Sequence, residues 1–130
     1  MVSVRITVLE TEAYIEKAED LFTPEEREGI RAFLAVSPDA GDVIPGLKGL
    51  RKMRWTEERR QKGKRGGARV VYFYASSRGV IALLYAYSKK EKEDLTNANR
   101  KELKAALEKL KKASGIEGED AVRGRPSKRN

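Results

Sequence analysis

Residues 68 to 87 read ARVVYFYASSRGVIALLYAY, two apolar and aromatic runs of eight residues separated by Ser-Ser-Arg-Gly. Runs of this length, rich in Val, Ile, Tyr and Phe and bounded by turn-forming residues, are strands. Two of them in series across so short a link form an antiparallel hairpin. No other feature constrains the fold as strongly, because so much apolar surface must be covered by the rest of the chain.

The covering elements are legible on either side. Residues 2 to 9, VSVRITVL, alternate apolar and polar side chains as a half-buried strand does. In TEAYIEKAEDLF the spacing of Tyr14, Ala18 and Leu21 changes to that of a short acidic helix. TPEE follows, in which Thr23 caps, Pro24 takes the first helical position and Glu26 completes a capping box. This predicts a second helix over 24 to 36, ended by Pro38, with Ile30, Phe33 and Leu34 on its core face. The segment SPDAGDVIPG reads as a loop, and LRKMRW at 50 to 55 as a further strand. Helical period returns in TNANRKELKAALEKLKK, with Thr96 or Asn97 as cap, Leu103, Ala106, Leu107 and Leu110 on one face, and Gly115 as stop. The expected fold is α+β in the order β-α-α-β-β-β-α: a small antiparallel sheet with helices packed on one face and the other face open. Residues 1 to 112 form the domain. Residues 113 to 130 form a basic tail with too little apolar content to pack, expected to be disordered.

Charge is sorted along the chain. Residues 1 to 46 carry 4 basic and 10 acidic side chains, whereas residues 47 to 74 carry 10 basic and 2 acidic ones. If Met53 and Trp55 face the core, the two-residue period turns Lys52 and Arg54 the other way. By the same rule Arg69, Val71 and Phe73 share the face opposite Val70, Tyr72 and Tyr74. Tyr72, Tyr74 and Trp55 are read as core side chains. With Lys89 and Lys90 at the end of the last strand and Lys64 and Arg65 on the loop above, cations from four segments converge on one surface with no carboxylate among them. Stability alone does not favour such a cluster, and a bound polyanion repays its cost. The chain has no Cys and no His, which removes disulfides, thiolate metal sites and the usual neutral-pH acid/base group. Cationic side chains can still clamp a phosphodiester and stabilise charge developing on it, enough for attack of an RNA 2′-hydroxyl on its own phosphate without metal or cofactor. No stretch has the length of a membrane span and the N-terminus lacks the layout of a signal peptide, so a cytoplasmic location with no membrane partner is expected.

The run GLRKMRW, then KRGGARVVYFY, the hairpin and LLYAYSKKEKEDLT, resembles the RelE/HigB toxins of type II toxin-antitoxin modules, and PDAGDVIPGLKGLRKMRW resembles their HigB-like branch. The resemblance covers roughly residues 1 to 112. It implies a microbial-ribonuclease-like sheet, mRNA cleavage in the ribosomal decoding site to a 2′,3′-cyclic phosphate, and inhibition by a cognate antitoxin, usually of helix-turn-helix type. It also places Lys52 and Arg54 at paired basic positions, one of them a candidate general base, Arg69 at the scissile phosphate, and Lys90 at the basic position ending the last strand. These four are the candidate catalytic residues, and Arg69 or Lys90 would have to protonate the leaving group. Lys64, Arg65 and Lys89 would bind RNA. The chain departs from the pattern at Asp94, Leu95 and Thr96, where relatives often carry a Tyr or His. A non-catalytic nucleic-acid- or antitoxin-binding protein on the same fold is therefore the alternative. Separately, Arg123 and Arg125 lie in VRGRPSKRN, which resembles the core of an AT-hook and is a candidate DNA-binding tail for an operator complex.

Overall fold

The fold is taken from a computed structural model that describes residues 5–55 and 67–114. In chain order the elements are β1 (Thr7–Glu10), α1 (Glu12–Leu21), α2 (Pro24–Val36), β2 (Asp42–Val43), β3 (Arg51–Trp55), β4 (Ala68–Ala75), β5 (Val80–Ser88) and α3 (Asn97–Ser114). They build one five-stranded sheet in the order β1-β5-β4-β3-β2.

The α+β class agrees with the sequence reading, and so does the element order apart from one added strand, β2. Local signals set the helix ends. Thr23 Oγ1 accepts from Glu26 N at 3.1 Å while Glu26 Oε1 accepts from Thr23 N at 2.9 Å, the reciprocal pair that satisfies two otherwise orphaned donors. Thr96 and Asn99 make the same exchange at the start of α3, both bonds 3.0 Å. Thr11 caps α1 and also donates its hydroxyl to Leu83 O at 2.8 Å, tying the helix start to β5. In the β4–β5 turn Gly79 adopts φ +65°, a conformation costly for a residue bearing Cβ.

The architecture differs from expectation in three details. First, the sheet is mixed: β1 runs parallel to β5, with Thr7 opposite Val80 and Glu10 opposite Leu83. Parallel neighbours need a crossover, and α1 and α2 with the strands after them supply it. Second, the segment read wholly as a loop contains β2, which pairs Asp42 with Lys52 and Val43 with Arg51. Third, helices cover both faces. Tyr14, Ala18, Ile30 and Leu34 of α1 and α2 pack on Met53, Val70, Tyr72, Ile81 and Leu83. On the opposite face Val71, Phe73, Ala82 and Leu84 are buried under Leu103 and Leu107 of α3 and under Ile44, Leu47 and Leu50. The near-continuous apolar character of β4 and β5 has its physical reason here, since a strand covered on both faces cannot alternate with polar residues.

One irregularity in β5 bears directly on function. Val71 pairs with Tyr85 but Tyr72 pairs with Leu83, so Leu84 has no partner opposite. The extra residue inverts the alternation beyond it. Ile81 and Leu83 lie in the first core, whereas Tyr85 and Tyr87 join the second face with Val71 and Phe73.

Candidate functional site

The second face is covered by α3 over part of its area, and the remainder, toward the start of β4 and the end of β5, carries the cations. Arg54 on β3, Arg69 on β4 and Tyr87 on β5 are register partners and form one row across three strands, with Lys52, Val71 and Tyr85 as the next row. The sheet thus holds Lys52, Arg54 and Arg69 together on a rigid surface, as the strand period predicts. Lys89 and Lys90 stand at the rim of this row. Lys89 donates its backbone N–H to Gly67 O at 3.2 Å, and Lys90 is exposed in the turn that follows β5. Among the described residues the Lys90 side chain makes no hydrogen bond or ion pair. Lys64, Arg65, Arg123 and Arg125 lie outside the described residues.

The cluster differs from expectation in containing a carboxylate. Asp94, in the connection between β5 and α3, accepts from Lys52 Nζ at 3.1 Å and from Leu95 N at 2.7 Å through the same oxygen. The Leu95 N–H, and after it Lys52, hold the Asp94 carboxyl below the usual aspartate range. Position 42 residues away in sequence hid this pair, because strand periodicity says nothing about how a later connection returns.

Four further side chains, Tyr85, Tyr87, Lys92 and Lys17, belong to the site and were not among the residues the sequence assigned to it. Tyr87 is fully buried beside Arg69 and its hydroxyl has no good hydrogen-bond partner. Burial, then the Asp94 carboxylate, push its ionisation up to about 12, opposed by Arg69, so the phenol stays neutral at physiological pH. Lys92 donates to Tyr85 Oη at 3.0 Å and to Asn99 Oδ1 at 3.1 Å, and its ammonium lies 5.5 and 5.9 Å from the Tyr85 and Tyr87 ring centroids. Lys17 of α1 approaches the Tyr85 ring at 5.7 Å. A sequence reader could have found the tyrosines only by anticipating the Leu84 bulge.

Beside the row opens a cleft of about 370 Å³, lined by Phe33 and Ala40 on one side, Met53, Lys52 and Arg54 of β3 on another, with Asp42 and Arg69 completing it. Its loop wall, 37 to 42, is pinned from within. The Tyr72 hydroxyl donates to Pro38 O and accepts from Gly41 N, both at 2.8 Å, and Arg51 donates to Gly41 O at 2.7 Å. A Cβ on Gly41 would stand 2.9 Å from Lys52 O and from the Tyr72 ring, so only glycine lets this loop approach β3. Tyr72→Phe, which leaves the Gly41 N–H buried and unsatisfied, is expected to cost about 1–3 kcal/mol in urea unfolding. A change below about 0.5 kcal/mol would show that the loop holds without it.

Among the described residues, no group of three or more Asp or Glu is gathered to hold a metal ion, and no helix is long and apolar enough to cross a membrane. No protein-family model matches the chain. In three dimensions the α+β arrangement of the described residues, three helices on a five-stranded mixed sheet, is the RelE-like fold. Among the solved structures similar to it is that of E. coli toxin RelE in the free state, a mutant in which two arginines are replaced by alanine. It superposes with a TM-score of 0.50 at 15% sequence identity, over 68% of this chain and 88% of that one. At that identity the likeness establishes the fold.

Proposed function

We propose that the chain is the toxin of a type II toxin-antitoxin module, a ribosome-dependent, metal-independent endoribonuclease acting on mRNA. The observation that carries this reading is the row of Arg54 and Arg69, with Lys52 beside it, set on a rigid sheet of the RelE-like fold. In the reaction the substrate 2′-hydroxyl loses its proton and its oxygen bonds to the adjacent phosphorus. The bond from phosphorus to the 5′-oxygen breaks, and that oxygen takes up a proton, leaving a 2′,3′-cyclic phosphate and a 5′-hydroxyl. Arg69 and Arg54 neutralise the charge that grows on the phosphoryl oxygens, where preorganised donors act most strongly. Lys52 adds to the clamp, held in place by Asp94. Lys90 joins Lys52, Arg54 and Arg69 in binding and activating the phosphate, and Lys89, Lys64 and Arg65 are RNA-binding residues. The partners are the ribosome with its mRNA, a cognate antitoxin of helix-turn-helix type and, through the antitoxin or the Arg123 and Arg125 tail, operator DNA.

A non-catalytic protein that binds nucleic acid or an antitoxin is the second reading. It is favoured by the engagement of Lys52 with Asp94 and by the burial of the Tyr87 hydroxyl, which leave proton transfer without an obvious carrier. Incubating the purified protein with a short defined mRNA, free or held on ribosomes, separates the two. Cuts that depend on the ribosome and end in a cyclic phosphate are expected. Intact mRNA in both conditions, with no growth arrest on expression, would sink the nuclease reading in favour of the second.

A further inference from the structure

The cleft beside the phosphate row is not itself needed to hold a phosphate, and its lining is chemically mixed. Phe33 and Met53 supply an apolar wall, Lys52, Arg54 and Arg69 a cationic lip, and Asp42 a carboxylate. Asp42 is the register partner of Lys52, yet Lys52 is bonded to Asp94 instead, and the Asp42 carboxylate makes no hydrogen bond or ion pair to a described residue. The loop that carries Asp42 is pinned by Tyr72 and Arg51, so the carboxylate is presented by a fixed support. Its volume of about 370 Å³ is of the size that small-ligand sites occupy.

We infer that this cleft receives the nucleobase next to the phosphate bound by Arg54 and Arg69, and that Asp42 makes it selective for guanine. The inference rests on the proposed RNA-binding role of the same site. A planar base gains contact from an aromatic and apolar wall, and single-stranded RNA is read by such stacking together with hydrogen bonds to base edges. The edge of guanine offers two adjacent donors, N1–H and the N2 amino group, which a carboxylate accepts as a pair, and its O6 is an acceptor suited to a Lys or Arg. Adenine and cytosine each set an acceptor beside their one amino donor, facing the carboxylate with a lone pair. Uracil offers a single donor. An acidic peptide, which the cationic lip alone would attract, is repelled by Asp42.

The test is binding of nucleoside 3′-monophosphates to the purified full chain, followed by the emission of Trp55. This is the single tryptophan of the sequence, and its ring centroid lies 6.4 Å from that of Phe33 in the cleft wall. Guanosine 3′-monophosphate is expected to bind at least about 10-fold more tightly than its adenosine, cytidine and uridine counterparts, the discrimination of one good bidentate pair. Inosine 3′-monophosphate, which lacks the N2 amino group, should lose most of that advantage on the unaltered protein. In Asp42→Asn, checked for a native melting curve, guanosine should fall to the level of adenosine. Equal affinities, a guanosine preference that survives Asp42→Asn, or no binding of any of the five would overturn the inference. Guanosine selectivity without ribosomal cleavage would keep the pocket and remove the nuclease reading. Ribosomal cleavage without selectivity would do the reverse.

Discussion

Arg69→Ala is expected to abolish growth arrest on expression and to slow ribosome-dependent mRNA cleavage by about 100-fold to 1000-fold, the usual cost of losing one preorganised donor to a developing oxyanion. Arg69 occupies the middle of the row, on β4 between Arg54 and Tyr87, and is half-buried on a strand whose neighbours on both sides are hydrogen-bonded. It therefore cannot be replaced in position by a swinging loop cation. The measurement is single-turnover cleavage on programmed ribosomes, with wild type and variant matched for folding by thermal melts. Undiminished cleavage by the variant would remove Arg69 from the chemistry and move the search to Lys52 and Arg54. Arg69→Lys is expected to restore only part of the rate, because an ammonium cannot reproduce the planar fork that grips two phosphoryl oxygens.

Phe73→Ala is expected to destabilise the fold by about 3–5 kcal/mol, roughly a 10–20 °C fall in melting temperature. Phe73 is on a central strand and only 2% exposed, in the core formed with Leu103 and Leu107 of α3, and the Lys111 ammonium lies 5.1 Å from its ring centroid. Were the second face open, as the strand period first suggested, the substitution would remove a solvated ring and cost little. A loss under about 1 kcal/mol in denaturant unfolding would therefore contradict the coverage of this face by α3.

These two substitutions fall on one face of β4, either side of Val71, and their difference shows where sequence reading succeeds. Arg69 and Phe73 share a parity on β4, so alternation alone assigned both to an open surface. Arg69 remains at the uncovered end, and Phe73 lies beneath α3. The clue was present in the composition of the strand, since VVYFYA has no polar residue on either parity and so requires cover on both sides. Period told which residues share a face, and total apolar content told whether that face could stay wet.

By itself the sequence determined what local chemistry decides: the Thr23–Glu26 capping box, Pro24 at the start of α2, the Thr96 cap, the hairpin around Gly79, and the common orientation of Lys52, Arg54 and Arg69. Each of these depends on groups within a few residues or on the fixed two-residue period of a strand. Only the tertiary structure decided that β1 lies parallel to β5, that Leu84 bulges and carries Tyr85 and Tyr87 onto the cationic face, that α3 closes the rest of that face, and that Asp94 returns to bond Lys52. Those outcomes are contacts between segments far apart in the chain. They are selected by how the whole apolar surface can be buried at once, a condition that no short window of residues contains.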